Sequence, residues 1–337
     1  MKVEEILAKL VSFNTVRDAE NDQIFAFMRE YLAPFNFTFR EVGGNLVAER
    51  GKNAKIGFLG HVDVVPPGDN WTTDPFKLTK RGDKLFGRGT SDMKGGLAAI
   101  LFAVAQTKMP VKLYFTYDEE IGFSGIKELV ASGEKFPKLM IVAEPTEEIP
   151  LTTGKGLLEY RVKFRGQRAH SSNPDSGRNA IYAAAEFIEQ LRKFADDLRQ
   201  IKDERFAIPF TTMNIGQISG GDSINSVPES CELTIDFRTI SPDSTDQCRA
   251  EIKKLCAKFN VKSETINDIT PFSNEISNLK ILGDKFGAAD YLTEASFLNV
   301  PRIILGPGPN TSHNTNEYIS LKSLKNTAKI YQKLMES

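Results

Sequence analysis

The sequence predicts an α/β domain with a mixed, partly parallel sheet, interrupted by an inserted ferredoxin-like α+β domain. Three observations carry that prediction. In the first half, short apolar runs alternate with helical segments: "KIGFLG", "VKLYFTYDEE" and "KLMIVAEP" read as strands buried on both faces. Near Gly156 the strands change character, and the order becomes β-α-β-β-α-β, the split ferredoxin-like unit. After about Thr270 the chain returns to helix, with a strand at "PRIILGPG" and a last helix. At 337 residues the chain is long for one core and comfortable for two. The expected division is 1–155 with 268–337 for the outer domain, and 156–267 for the insert.

The elements follow in order. Helices are expected at about 2–12 and 20–35, then β-rich runs "FTFREV", "NLVAER" and "KIGFLG". "GGLAAILFAVAQ" is an apolar helix opened by two glycines, and "GFSGIKELVASG" a helix between two buried strands. In the insert, "GLLEYRVKFRG" alternates like a half-exposed strand, and a helix runs from Arg178 to about Phe194. "TTMNIGQISGG" and "ESCELTIDFRTI" are strands joined by a Gly-Gly-Asp loop. "STDQCRAEIKKLCAKF" is a helix with a Ser or Thr cap, and "NVKSETI" a strand.

Charge is balanced, with 43 Lys and Arg against 44 Asp and Glu, and the two signs are mixed throughout. No basic block suggests nucleic acid. No apolar run is long enough to span a membrane, and the N-terminal "MKVEEILAKLVSF" lacks the apolar core of a signal peptide. Cys231, Cys248 and Cys256 show no C-x-x-C spacing and read as reduced core thiols in a cytoplasmic protein.

Ligands of open α/β sheets gather at the carboxyl ends of strands. There this sequence concentrates its polar residues. "IGFLGHVD" delivers His61 and Asp63; "LYFTYDEE" delivers Asp118, Glu119 and Glu120; "LMIVAE" delivers Glu144; "IILGPGPNTSH" leads to His313. Asp92 stands in the glycine-rich "GRGTSDMKGG". Two of only three histidines therefore fall at one predicted sheet edge with a set of carboxylates. Packing does not require that, and a metal site does. Imidazole nitrogen and carboxylate oxygen suit Zn²⁺. The inventory fits two ions, which co-catalytic sites hold about 3.5–4 Å apart. Their repulsion is on the order of 17–19 kcal/mol at an effective dielectric near 20, so an anionic bridge is needed between them. One further glutamate is then free to move protons.

The motifs "GHVDVVP", "LFGRGTSDMKGG", "YDEEIG", "AEPT", "RAHSS" and "SHNTNEY" resemble the zinc-dependent aminoacylase and carboxypeptidase family, which includes acetylornithine deacetylase and succinyl-diaminopimelate desuccinylase. The resemblance covers essentially the whole chain, insert included. It implies that His61 and Glu144 bind one zinc, that Glu120 and His313 bind the other, and that Asp92 bridges them. Cobalt or manganese would serve as substitutes. Glu119 is then the general base and acid, and Asp63 holds His61 through its second ring nitrogen. A cis peptide after Asp92 is also implied. His170 is expected to reach the active site of a partner subunit and stabilise the oxyanion, in a homodimer formed through the insert. Asn225 and Arg238 match inserted-domain positions that contact substrate, and Lys155, in "TGKG", is a further candidate at the domain hinge; Arg238, one of few charges in "DFRTI", suits a carboxylate.

The implied reaction is hydrolysis of the amide of a small N-acyl amino acid. "GQRAHSS", "TEASFLN" and "ILGPG" are more similar to acetylornithine deacetylases, hence arginine biosynthesis, than to desuccinylases of lysine biosynthesis, which have an Asp where this chain has Glu294. A desuccinylase, a dipeptidase of the same family and a non-catalytic binding relative are the alternatives.

Overall fold

The computed structural model describes residues 1–17, 19–274, 280–283 and 285–337. They fall into two compact units, one of residues 1–152, 274–287 and 293–337, the other of 153–273 and 288–292.

The first unit is built on a mixed sheet. Four strands run parallel, in the spatial order Val111–Thr116, Ile56–His61, Leu139–Val142, Arg302–Ile304. The antiparallel strands Asn45–Arg50 and Thr38–Val42 extend it beyond Val111–Thr116. All six residues of Ile56–His61 are buried, as expected of an apolar run covered on both faces. Its two parallel neighbours come later in the chain and lie on opposite sides of it. The strand order therefore reverses at Ile56–His61, which is where such sheets open a crevice at their carboxyl edge.

Helix Lys94–Ala105 has ten of its twelve residues buried and is apolar all round rather than on one stripe. Leu97, Ala98 and Leu101 join the core of this unit with Leu7, Leu10, Phe58, Phe115 and Tyr331. Val3–Val11 and the final helix Leu321–Glu336 are amphipathic and bury one face each. A small antiparallel sheet, Tyr318–Ser320 with Lys84–Phe86 and Thr79–Arg81, was not anticipated from the sequence. Strands of three residues carry too little periodicity to be read.

The second unit is a four-stranded antiparallel sheet in the order Thr212–Gly220, Ser230–Thr239, Gly156–Arg165, Lys262–Ile269. One face buries Leu158, Tyr160, Val162 and Phe164 with Leu233, Ile235 and Phe237, beneath helices Ala180–Leu198 and Pro242–Phe259. Phe187 meets Phe164 edge-on at 5.3 Å and Phe259 at 5.5 Å. The three cysteines are buried and free, Cys248 and Cys256 on the inner side of their helix. Two helix starts differ from expectation because of their caps. Asn179 accepts from the N–H groups of Ile181 and Tyr182, so that helix begins at Ala180 and runs on to Leu198. Ser241 caps the other, with Pro242 in the first turn.

The helix expected after Thr270 is corrected. The described residues there form 3-10 turns at Lys280–Leu282 and Glu294–Phe297 and short strands. Residues 275–279 and 284 of that expected helix lie outside the described residues. Among the described residues, no helix is long and apolar enough to cross a membrane.

Candidate metal centre

Four parallel strands end at one edge of the first unit, and each brings acid or imidazole there. His61 closes its strand, opposite Thr116 in the neighbouring one. Three and four residues past Thr116 stand Glu119 and Glu120. Glu144 lies two residues past Val142, and the chain after Ile304 leads to His313. Asp92 stands two residues before helix Lys94–Ala105, next to its N-cap Met93, and the Asp92–Met93 peptide is cis.

Asp92 sits between the histidines. Its Oδ1 lies 3.1 Å from His61 Nε2, and its Oδ2 3.4 Å from His313 Nε2. Glu144 Oε1 is 3.7 Å and Glu119 Oε2 4.0 Å from His61 Nε2. Glu120 Oε2 is 2.9 Å from His313 Nε2. His61 with Asp92 and Glu120, and His61 with Glu119 and Glu144, each present ligand atoms within 4.8 Å of one another. His61 is fully buried, whereas the His313 side chain is 56% exposed, so the cluster is open on the His313 side.

Asp63 does more than hold the ring of His61. The nearest acceptor to His61 Nδ1 is the Asp63 main-chain carbonyl, at 3.0 Å; the carboxylate lies at 3.5 Å. That carboxylate instead accepts from the N–H groups of Glu119, at 3.3 Å, and Glu120, at 3.1 Å. It thereby ties the acidic pair to the end of the histidine strand.

The electrostatics are those of a concentrated negative site. Burial, with the charge of Asp92 added, pushes the carboxyls of Glu119 and Glu144 well above the ordinary carboxylate range. Burial opposes a charge on His61, but contacts to Asp63 and Asp92 outweigh it and hold the imidazole well above its usual value. Asp92 and Glu120 push His313 up to about 10. Burial alone would raise Asp92, and the two histidines bring it below its usual range. Glu120 Oε1 is buried without a hydrogen-bond partner. Two imidazoles, a carboxylate between them and further carboxylates beside each suit divalent cations.

Two residues beneath this site were not singled out from the sequence. Arg88 and Glu317 are 2% and 0% exposed and paired at 2.7 Å. Each lies inside a motif that also holds a site residue, which is a usable signal, but 229 positions separate them and no spacing rule joins them. Lys94 is a third; buried, it donates to the Phe13 carbonyl at 2.8 Å, and burial lowers its pKa to about 7.

The remaining expected residues belong to the second unit. His170 and Asn225 are exposed and adjoin, the Ser171 N–H donating to the Asn225 carbonyl at 3.0 Å. His170 Nδ1 accepts from the Ser172 N–H at 3.2 Å. Arg238 is half-buried and already faces Asp236, with Nη2 3.0 Å from Oδ2. Lys155 is 2% exposed, and its ammonium is taken by Asp290 at 3.0 Å and the carbonyls of Ile208 and Phe210. Those partners leave the expected substrate contact of Lys155 without support.

The description "Peptidase family M20/M25/M40" matches residues 57–337. An acetylornithine deacetylase of Myxococcus xanthus is 32% identical over 355 aligned residues, covering 94% of this chain and 92% of that one. Among solved structures, aminopeptidase PepT of Bacillus cereus superposes with a TM-score of 0.79 at 19% identity, covering 99% and 97% of the two chains. A Bacillus subtilis protein described as a dinuclear metal-binding peptidase of the M20 family superposes with a TM-score of 0.73 at 14% identity, covering 99% and 96%.

Proposed function

Since the chain belongs to peptidase family M20/M25/M40 and is a hydrolase of that family, we propose that it hydrolyses the amide bond of an N-acyl amino acid, N-acetylornithine before others, in arginine biosynthesis. One observation carries the reading: Asp92 directs one carboxylate oxygen to each of two histidines, with Glu144 beside the first and Glu120 beside the second. His61 and Glu144 would hold one Zn²⁺, His313 and Glu120 a second, and Asp92 would belong to both. Ions bound there would supply Lewis-acid polarisation of the acyl carbonyl and acidify the attacking water.

The residues do the rest. Glu119 is the general base. It takes a proton from the attacking water and later gives it to the leaving amine, so that water and amide become a carboxylic acid and a free amino acid. Its place, with Oε2 4.0 Å from His61 Nε2 and its N–H held by Asp63, suits a group that serves the attacking water. Asp63 keeps Glu119 and Glu120 in register through their N–H groups. His170 Nε2–H would donate to the oxyanion of a partner's site, and Arg238 and Asn225 would meet the substrate's polar groups. A homodimer through the inserted domain, 156–267, is supported by the strand Thr212–Gly220, which lies at the edge of its sheet. Ile218 in it is 56% exposed, and Ile224 in the loop beyond is fully exposed. The identity to an acetylornithine deacetylase over most of both chains favours an acetyl substrate.

The test is a panel assayed with Zn²⁺: N-acetylornithine, N-succinylornithine, N-succinyl-diaminopimelate and simple dipeptides. N-acetylornithine should give the highest kcat/KM. Preference for a succinyl substrate or a dipeptide would replace the substrate assignment. No turnover of any of them would remove the amide-hydrolysis reading.

A further inference from the structure

The carboxylate of Glu317 accepts four hydrogen bonds. Oε2 takes Arg88 Nη1 at 2.7 Å and the Gly89 N–H at 2.8 Å; Oε1 takes the N–H groups of Ser91 at 2.7 Å and Asp92 at 3.0 Å. The two Nη groups of Arg88 also donate outward, while its Nε is buried without a partner. Nη2 reaches the carbonyls of Pro66, at 3.2 Å, and Pro67, at 3.1 Å; Nη1 also reaches the Asn314 carbonyl at 3.4 Å. The guanidinium lies 5.3 Å from the centre of the Trp71 ring. Gly89, at φ 80°, gives the turn a left-handed step that a side chain would strain.

These bonds join three segments. One follows His61, one ends in Asp92, and one begins at His313. Each supplies a residue to the cluster, and none is held in place by sheet pairing at the position where that residue stands, apart from His61 itself. We propose that Glu317, with Arg88, is a positioning residue: it fixes Asp92 between His61 and His313 and thereby sets how tightly divalent cations bind. The inference rests on the metal reading given above. Neither side chain is within the cluster, so their effect passes through the main chain of Gly89, Ser91 and Asp92. An amide in place of the carboxylate turns an NH₂ toward backbone N–H groups, and it leaves a buried guanidinium without its counter-charge.

The experiment titrates Zn²⁺ alone into the chelator-stripped full chain by calorimetry, with thermal melting measured alongside. Glu317→Gln should bind Zn²⁺ about 10–100-fold more weakly than the parent, the range expected when an outer support of a ligand is lost. The double variant Arg88→Met with Glu317→Gln removes the stranded charge. Its melting temperature should recover toward the parent while its Zn²⁺ affinity stays low. That split separates positioning from plain structural support. Should Glu317→Gln fail to fold, the double variant carries the test. Affinity recovering together with stability, or Glu317→Gln binding within twofold of the parent, overturns the inference and leaves the metal reading standing. A parent chain that binds no Zn²⁺ overturns both.

Discussion

Glu119 and Glu120 are neighbours in sequence, and their surroundings separate them. Glu120 contacts His313, while Glu119 stands 4.0 Å from His61. Glu119→Gln keeps the volume and removes the proposed base. It should retain metal binding and lose about 10²–10⁴-fold in kcat; metal analysis beside steady-state kinetics checks both halves, and near-normal turnover would mean that the base is wrongly assigned. Glu294 offers a stability test. Fully buried, it is pushed up from 4.5 to about 7 by desolvation, with His61 and the Thr116 hydroxyl pulling the other way. A raised folded-state pKa means that the native state holds more protons than the unfolded chain between those values, so stability falls as pH rises across that window. The loss is about 3 kcal/mol once pH is above the folded value. In the metal-free chain, Glu294→Gln should flatten that fall, and melting curves from pH 5 to 8 that keep the parent's slope would refute it. His61 and His313 stood out because the chain has only three histidines and these two end or follow strands, while Asp92 stood out through its glycine-rich motif. Arg88 and Glu317 did not, since ordinary charged residues acquire meaning only when the fold pairs them.

At the scale of elements, helix Lys94–Ala105 comes close to the main chain of the sheet at Gly96. A Cβ on Gly96 would lie 2.1 Å from the Ala143 carbonyl oxygen, one residue before Glu144. Both partners are backbone, so neither yields cheaply. Gly96→Ala should destabilise the chain by about 1–3 kcal/mol and also lower metal affinity, because the displaced segment carries Glu144. Chemical denaturation and metal titration of the same preparation test the two effects; unchanged stability would show that the helix can shift without cost. The long elements were readable because apolar runs and helical periodicity report burial directly. The three-residue strands Thr79–Arg81, Lys84–Phe86 and Tyr318–Ser320 exist only through pairing with one another. The 3-10 turn Glu294–Phe297, where helix was expected, is likewise a product of local capping by Thr293 rather than of periodicity.

At the scale of the whole molecule, the change of pattern near Gly156 revealed two different sheets, one partly parallel and one wholly antiparallel. Connectivity made that visible, because β-α-β-β-α-β is a chain-order signature. What a single chain does not encode in its periodicity is whether residues of one copy serve another. His170 poses that question: it is exposed, and its Nδ1 is engaged by the Ser172 N–H. If it serves a partner's site, two inactive variants should complement each other. His170→Ala would lose an oxyanion donor, typically about 10²–10³-fold in turnover, and Glu119→Gln would lose the base. In a mixed dimer acting in trans, one site carries both lesions and the other carries none. Equal random mixing makes half the dimers mixed with one good site each, so activity should return to about a quarter of the parent's. The measurement is turnover of N-acetylornithine after the two variants have exchanged subunits, with exchange followed by a mass or fluorescent label. Verified exchange without recovered activity would place the action of His170 within its own chain or remove it from catalysis.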